Sequence, residues 1–408
     1  MTTTAGSLVA ARNLTARQWR RARGRVRHEW KRAGEACKDV VHFFGGVAEA
    51  GKNAGAGVAR DVIKGVRRPL RELGGRRRDL LDQWEWNQTE WQAEREIARV
   101  VQGDHPVILG PWLAEVGYEL LYWVPFLQWV RVAYQLDPAR TIAISRGGVA
   151  SWYSGVASRY VEMWDAMSPE EFGRRNQARA EQKQSGLSDL DAELIRYAEQ
   201  SLGLTGARVL HPSLMFRLFK LFWSGHRPMG FIDAHTRFSL QQAPAVIDRR
   251  QLPEEYTAVK LYAARSMPDH PDIRRQVRRF IDELSEQRPV LLLETGLSVD
   301  DHSDIPLASH PRILNARDLM SPLTNLGAQT QIVANASAYV GTCGSITWMA
   351  PRLGVHTSAL FADDEFLHNH LAVALRTSAR LKGAGRFCPV DLRGLPAVAP
   401  GPGHTGQH

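Results

Sequence analysis

The sequence is poor in cysteine and has no long apolar segment. Its 408 residues include only three cysteines, Cys37, Cys343 and Cys388, which lie far apart. This spacing excludes a disulfide framework and a zinc site built from cysteine pairs, and it is typical of a reducing compartment. The longest apolar runs, such as 290–293, are much shorter than the roughly 20 residues of a membrane-spanning helix. Because the first residues also lack a signal peptide's apolar stretch, we expect a cytoplasmic protein.

Positive charge is concentrated at one end of the chain. The formal net charge is +9, but residues 1–80 alone hold 19 Lys and Arg against 7 Asp and Glu. The remainder is close to neutral, so no nucleic-acid groove is expected in the folded core. Tryptophans between the arginines are typical of helices on anionic membrane surfaces, and such contact at the inner face of the membrane would involve residues 1–100. The alternative is a solvated arm that packs on the body or on a partner.

Apolar strands alternate with amphipathic helices from residue 105 onward. The strands are predicted at 107–109, 141–145, 208–210, 258–262, 289–294, 312–314, 338–340 and 357–361. The helices are predicted at 119–134, 189–202, 272–287, 325–335, 346–353 and 365–381. This alternation predicts an α/β fold with two Rossmann-like, doubly wound domains that face a cleft. We expect a basic, Trp-containing helical extension at 1–104, the two domains at 105–250 and 251–393, and a disordered tail at 394–408.

A turn of small residues follows the strand predicted at 338–340. Gly341 and Gly344 allow a ligand to approach the backbone, and Thr342 and Ser345 add hydroxyl groups. If a helix begins directly after this turn, its first N–H groups and its dipole form a site for an anion. The pattern therefore predicts a phosphate or diphosphate site. The alternative is an ordinary connection between a strand and a helix.

Other loops that follow strands of the second domain add polar side chains to the same sheet edge. The predicted donor-binding residues there are Lys260, Arg265, Ser266, Thr295 and Gly296. Arginine binds phosphate through two parallel hydrogen bonds, which makes Arg265 the main candidate for the diphosphate. The alternative for Arg265 is a surface ion pair with Asp269 or Asp272.

Two glutamates follow the first strand of the first domain. Glu115 and Glu119 are four residues apart, so they share a face if a helix has already begun. A carboxylate that faces the cleft could deprotonate an acceptor hydroxyl, and we favour Glu115 over Glu119 for this role. The alternative is that both stabilise the first helical turn through the helix dipole. The acceptor side is also predicted to include Trp112, Tyr118, Arg146 and Gly147.

The order of these motifs resembles the donor half of two-domain GT-B glycosyltransferases, especially bacterial fucosyltransferase-like and heptosyltransferase-like enzymes. The segments that carry the resemblance are 259–265, 292–296 and 329–350. In that group an arginine after the first donor-domain strand contacts the diphosphate, which implies this catalytic role for Arg265. A small-residue turn holds the phosphates there, which implies the same for Thr342, Gly344 and Ser345.

The resemblance implies a metal-independent transferase that moves a hexosyl or deoxyhexosyl group from a nucleotide sugar to a glycan or lipid-linked acceptor, as in cell-envelope polysaccharide synthesis. We expect no cofactor and no bound metal, and His368 and His370 are expected to be structural because two residues on a helix separate their faces. One alternative is a Cys-dependent hydrolase, since Cys343 lies in a turn like a nucleophile elbow. Another is a non-catalytic protein that binds nucleotides or glycans.

Overall fold

The structure of the protein is a computed structural model that describes residues 82–179, 184–295, 303–305 and 310–394. The chain divides into two compact units, Met1–Thr89 and Glu90–His408. The first unit is described only over 82–89, which is helical. Most of the predicted basic extension and the tail from residue 395 therefore lie outside the described residues, and the predicted domain boundaries stay predictions. Within these ranges no helix combines the length and apolar character that crossing a membrane requires.

The second unit contains a four-stranded parallel sheet with the strand order β3-β2-β1-β4. Its strands are β1 (Val107–Leu109), β2 (Thr141–Ser145), β3 (Arg159–Glu162) and β4 (Arg208–Leu210). The central strands β1 and β2 are buried along their whole length. Such strands need helices on both faces of the sheet, because a parallel sheet has no solvent-facing side. Local sequence patterns predict β1, β2 and β4, whereas β3 is found only in the structure.

The described residues of this part of the chain include six α-helices. They are α1 (82–101), α2, α3 (Pro169–Ala178), α4 (Asp189–Leu202), α5 (Pro212–Trp223) and α6 (Met229–His235). Helix α2 joins an α-helical turn at Val116–Tyr118, a π-helical turn at Glu119–Trp123 and an α-helix at Val124–Tyr134. A π-turn inside an α-helix is rare and is frequent at functional sites.

A six-stranded parallel sheet with the order β12-β11-β10-β5-β7-β9 forms the second half of this unit. Its strands are β5 (Thr257–Lys260), β7 (Val290–Leu292), β9 (Ile313–Asn315), β10 (Ala338–Thr342), β11 (Thr357–Phe361) and β12 (Phe387–Asp391). β5 and β10 are central neighbours, and later strands are added outward on either side. The order therefore reverses between β5 and β10, which is where doubly wound sheets bind ligands. The predicted α/β class with two parallel sheets is confirmed.

Two short strands, β6 (Tyr262–Ala263) and β8 (Ser303–Asp304), pair antiparallel beside the end of β5. The helices of this half are α7 (Pro271–Gln287), α8 (Asn325–Ala334) and α9 (His368–Arg380). The helix predicted at 346–353 is wrong, because two 3₁₀ turns, Ser345–Trp348 and Ala350–Leu353, replace it. Pro351 lacks the N–H that an α-helix would use there, which favours a break in this segment.

Candidate functional site

A cavity of about 1780 Å³ lies where the carboxyl edges of the two sheets approach each other. Its lining includes residues from the loops after β1, β2, β5, β7 and β10, and from helices α5 and α9. In open parallel sheets, ligands bind beyond the carboxyl ends of the strands. The volume exceeds the space that one small ligand usually occupies, so two substrates can be accommodated together.

Lys260 and Arg265 bring positive charge to this cavity from the end of β5 and the loop after it. The Lys260 ammonium lies 2.7 Å from Oδ1 of Asp304 on β8, and its side chain is only 12% exposed. Arg265 is exposed, and its guanidinium lies 4.7 Å from the centre of the Phe366 ring. Both cations line the cavity. Lys260 is therefore fixed by a carboxylate, whereas Arg265 lies on an aromatic ring.

The two aspartates considered as alternative ion-pair partners of Arg265 are paired with other arginines. Asp269 pairs with Arg274, and Asp272 pairs with Arg275. Among the described residues, no carboxylate lies within ion-pair distance of Arg265. Arg265 therefore remains the candidate for the predicted phosphate contact, because a guanidinium can form two parallel hydrogen bonds with phosphate oxygens.

The turn after β10 reaches the cavity through Gly344 and Ser345. Gly344 has φ +136°, and a Cβ at this position would collide with the Tyr262 hydroxyl, so only glycine fits. Ser345 also has a positive φ, +43°. A Cβ on Gly117 of helix α2 would come within 3.0 Å of the Ser345 nitrogen, so the two halves pack closely at this point.

Thr342 and Gly341, which the sequence placed in the same phosphate site, do not line the cavity. Thr342 is completely buried. Its hydroxyl donates to the Tyr262 carbonyl at 3.1 Å and accepts from the Tyr262 N–H at 3.1 Å. A Cβ on Gly341 would lie 2.5 Å from the Tyr339 hydroxyl. These two residues therefore connect β10 to its neighbours, and protein atoms already occupy the positions that a phosphate would need.

The remaining donor-side predictions have mixed outcomes. Ser266 and Thr295 line the cavity. The Ser266 hydroxyl donates a hydrogen bond to the Cys343 carbonyl at 3.4 Å, which ties the loop after β6 to the turn after β10. Gly296 lies outside the described residues. Some of the predicted donor-binding residues thus lie together at one edge of the second sheet.

Glu115 and Tyr118 face the cavity from the first turn of α2. Glu115 occupies the N-cap position with an extended backbone, and its side chain makes no capping hydrogen bond. Burial and the neighbouring Glu115 charge raise the pKa of Tyr118 to about 12. The Tyr118 phenol therefore keeps its hydrogen at neutral pH and can donate it, while Glu115 is the carboxylate that borders the cavity from this side.

Glu119, the second predicted base, is completely buried and does not line the cavity. Its Oε1 accepts hydrogen bonds from the hydroxyls of Ser145 at 2.6 Å and Tyr153 at 2.5 Å. Burial raises the pKa of Glu119 to about 7, although Arg146 and these two hydrogen bonds favour the charged form. A carboxyl group enclosed in this way cannot reach an acceptor hydroxyl, so it acts within the fold.

Arg146 and Trp112 also serve the fold of the first half. The Arg146 guanidinium is almost fully buried although its residue borders the cavity, and it donates to the carbonyls of Trp112 at 3.0 Å and Ala114 at 2.9 Å. Trp112 is completely buried between Trp123 and Phe216, with ring centres 5.8 Å away in each case. A stacked ring with no exposed surface cannot stack on a sugar, which contradicts the predicted acceptor contact of Trp112.

Gly147, the last acceptor-side prediction, connects the two halves. Its N–H donates to Oε1 of Glu162 at 2.9 Å, and its carbonyl accepts from the N–H groups of Leu326 and Gly327 at the start of α8. A Cβ on Gly147 would also run into the Asn325 side chain. The Gly147 carbonyl thus supplies the hydrogen-bond acceptor that the first N–H groups of α8 need. Gly147 does not line the cavity.

Several cavity residues were missed by the sequence analysis. They come from α5, from the β6 and β8 pair, and from the start of α9: Lys220, Trp223, Tyr262, Asp304, Asn369 and His370. The apolar segment 212–223 could have revealed α5, since its buried positions recur at helical spacing. His370 was noticed in the sequence only as part of a histidine pair, because its tyrosine partners lie far away along the chain.

Cys343 lines the cavity but lacks the properties of a nucleophile. Burial raises the pKa of its thiol well above the ordinary value, and only the thiolate form attacks a substrate. Of the histidines considered as its partner, His211 has its Nε2 3.2 Å from Oδ1 of Asp191, His356 accepts a backbone hydrogen bond at 3.0 Å, and His302 lies outside the described residues. The geometry therefore disfavours the hydrolase alternative.

One group of potential metal ligands occurs among the described residues, away from the cavity lining. It consists of Glu90, Glu94 and His235. Arg227 donates to Glu90 at 2.9 Å, and His235 lies 3.1 Å from Glu94. Two acids and two basic groups thus pair with one another, so this arrangement is explained by ion pairs.

No family model matches the sequence, and a search of curated proteins finds no similar chain. Among solved structures, the chain is similar to a family 9 glycosyl transferase from Veillonella parvula, with 10% identity, a TM-score of 0.35 and coverage of 63% of this chain and 80% of that chain. It is also similar to ADP-heptose lps heptosyltransferase II from E. coli, with 13% identity, a TM-score of 0.35 and coverage of 63% and 85%.

A third similar structure is S. aureus MnaA with UDP, at 10% identity and a TM-score of 0.29, covering 69% of this chain and 93% of that chain. Glycosyltransferases, among them a heptosyltransferase, are thus among the solved structures to which this chain is similar. At such low TM-scores the likeness is distant, and it assigns neither a substrate nor a residue role.

Proposed function

We propose that this chain is a glycosyltransferase that moves a glycosyl group from a nucleotide sugar to the hydroxyl group of an acceptor. The observation that carries the proposal is the cavity into which the carboxyl edges of both parallel sheets open. One wall carries the cations Lys260 and Arg265, and the other carries the carboxylate of Glu115. The two cations can hold the anionic end of one substrate, and the Glu115 carboxylate can take a proton from a second one.

The diphosphate of the donor would bind at the point where the strand order of the second sheet reverses. Lys260 ends β5, and Gly344 and Ser345 follow β10, its central neighbour. Arg265 can bind phosphate oxygens with two parallel hydrogen bonds, and Lys260 adds a point charge. Gly344 and Ser345 line the cavity, so the phosphate would lie beside the backbone of this turn.

In the proposed reaction the Glu115 carboxylate takes the proton of the acceptor hydroxyl. The acceptor oxygen then bonds to the anomeric carbon, and the bond from that carbon to the diphosphate oxygen breaks. Its electron pair stays with the nucleoside diphosphate, whose growing negative charge Arg265 and Lys260 stabilise. We include in the proposal a hexosyl or deoxyhexosyl donor, a glycan or lipid-linked acceptor, and transfer without a bound metal.

Binding of nucleoside diphosphates and their sugar conjugates, measured by isothermal titration calorimetry, tests the donor site. Arg265→Ala should weaken binding about 10- to 100-fold, because hydrogen bonds between charged groups contribute roughly 1.5–3 kcal/mol. Arg275→Ala is the matched control, since Arg275 is exposed and paired with Asp272 outside the cavity lining. Equal losses in the two variants, or no binding by the wild-type chain, would contradict the proposal.

A transfer assay with labelled nucleotide sugars then separates an enzyme from a binding protein. Glu115→Gln should retain the donor affinity of the wild-type chain and lose most of its transfer activity, because a carboxamide cannot accept the proton. A wild-type chain that binds nucleotide sugars but transfers none of them to glycan or lipid-linked acceptors would instead be the non-catalytic binding protein.

We also propose that the basic N-terminal extension attaches the enzyme to an anionic membrane surface. Two tryptophans near the start of the described chain, Trp84 and Trp91, are 54% and 46% exposed, and Arg95 lies over the Trp91 ring. Exposed tryptophan beside arginine favours the interface between lipid and water. The full chain should sediment with vesicles that contain anionic lipid, and a chain lacking residues 1–81 should sediment much less. Equal sedimentation would count against membrane attachment.

A further inference from the structure

His370 lies at the boundary between the two halves of the cavity. It belongs to the first turn of α9 and lines the cavity. Its Nδ1 is 2.7 Å from the hydroxyl of Tyr122, and its Nε2 is 3.4 Å from the hydroxyl of Tyr118. Both tyrosine rings meet the imidazole edge-on, with ring centres 5.5 Å and 5.2 Å away. Two residues of α2 therefore fix the orientation of a histidine from the other sheet's half.

The surroundings of Tyr122 determine which imidazole nitrogen carries the hydrogen. Tyr122 is completely buried, and burial raises the pKa of its phenol far above the ordinary value, so the hydroxyl keeps its hydrogen. A buried hydroxyl requires an acceptor, and Nδ1 of His370 lies at the distance of a good hydrogen bond. Since a neutral imidazole has one donor and one acceptor nitrogen, Nε2 carries the hydrogen. This nitrogen faces the Tyr118 hydroxyl, and because their 3.4 Å separation is longer than that of a good hydrogen bond, an oxygen of a bound ligand can compete for the hydrogen.

The same wall of the cavity carries the cation proposed for the diphosphate. Residues 365–367 and 369–370 all line the cavity just before and at the start of α9. Phe366, four residues before His370, lies beneath the Arg265 guanidinium at 4.7 Å. His370 thus belongs to the same segment as the ring that holds Arg265, and its Nε2 faces the Tyr118 hydroxyl from this side of the cavity.

We propose that His370 is a catalytic residue whose Nε2–H donates a hydrogen bond to an oxygen of the departing diphosphate, with Tyr122 as the positioning residue that fixes its tautomer. This role rests on the proposed function. The acceptor proton goes to Glu115 and the electron pair of the broken bond goes to the diphosphate, so His370 gives up no proton. Its hydrogen bond strengthens as negative charge develops, and it therefore acts mainly on kcat.

Steady-state kinetics of the full chain test this role. His370→Ala should lower kcat about 100-fold, the usual loss for one preorganised donor, with a much smaller change in the KM of the donor. His370→Gln should recover part of the rate, because the carboxamide N–H can replace Nε2–H. His368→Ala is the matched control, since His368 is exposed in the same helical turn and does not line the cavity; it should stay within about twofold of wild type. An unchanged kcat in His370→Ala overturns the role.

A second measurement does not depend on activity or on the folding of an alanine variant. Nitrogen-15 NMR of the nucleotide-free chain reports the tautomer of each of the 14 histidines, and the spectrum of His370→Gln identifies the His370 signals. We expect hydrogen on Nε2, with a shift toward the other tautomer in Tyr122→Phe. Hydrogen on Nδ1 in the wild-type chain overturns the role. If the wild-type chain transfers sugar and His370→Ala has the same kcat, this role alone is refuted. If the wild-type chain binds no nucleoside diphosphate, the proposed function is refuted as well.

Discussion

The carboxyl edges of the two sheets carry similar polar residues, but the fold uses them in different ways. At the first sheet Arg146, Glu119 and Gly147 are bonded to protein atoms of the same half or of α8. At the second sheet Arg265 and Gly344 face the cavity. A polar residue after a strand is therefore a candidate for ligand binding only when the packing leaves its polar group at the cavity surface.

The reason for the difference is the packing around each edge. The loop after β1 places Trp112 in the core against Trp123 of α2, and the carbonyls of this loop turn toward Arg146. A buried carbonyl without a donor is costly, so the guanidinium is held there. The loop after β5 instead crosses the cavity wall, where Arg265 rests on the exposed ring of Phe366.

The largest effect on stability is expected for Arg146→Leu. This change removes the donors of the Trp112 and Ala114 carbonyls and the positive charge nearest to Glu119. We expect a loss of about 2–4 kcal/mol in the free energy of unfolding, measured by urea denaturation. The control is Arg265→Ala, which should change it by less than about 0.5 kcal/mol because the side chain is exposed.

The two arginines thus provide a direct test of the contrast. Arg146→Leu should reduce stability, whereas Arg265→Ala should reduce nucleotide affinity. If Arg146→Leu kept the wild-type free energy of unfolding and lost nucleotide affinity, Arg146 would be a ligand contact, and the difference between the two sheet edges would disappear.

A smaller effect is expected from the titration of Glu119. Because the folded-state pKa is about 7 and the ordinary value is 4.5, the folded chain keeps a proton that the unfolded chain has lost between these values. The stability contributed by this proton is fully present below the unfolded pKa and is lost as pH rises through about 7. Glu119→Gln does not titrate, so its Tm should fall less than that of wild type between about pH 5 and pH 8.

Glu115→Gln is the control for this comparison, since Glu115 is half-buried at the cavity and not enclosed like Glu119. It should retain the pH dependence of the wild-type Tm. If Glu119→Gln and wild type showed the same dependence, the enclosed carboxyl would not be protonated in the folded chain at neutral pH.

Much of the secondary structure could be predicted from local patterns. Strands 107–109, 141–145, 208–210 and 357–361 have the predicted bounds, because short β-branched and apolar runs between turn residues are local signals. The turn at Gly344 was also correctly placed at a carboxyl edge. Segment 346–353 has the apolar pattern of an α-helix, but Pro351 and the positive φ of Ser345 favour 3₁₀ turns.

The sequence by itself determined the alternation of strands and helices, the α/β class and the loops in which ligand-binding residues could occur. Only the tertiary structure decided which of those residues are accessible, since Thr342, Glu119 and Trp112 are enclosed by residues distant in the chain, and His370 obtains its tyrosine partners from the other half. The physical reason is that propensity and periodicity act over a few residues, whereas burial and hydrogen-bond partners depend on contacts between segments far apart in the chain.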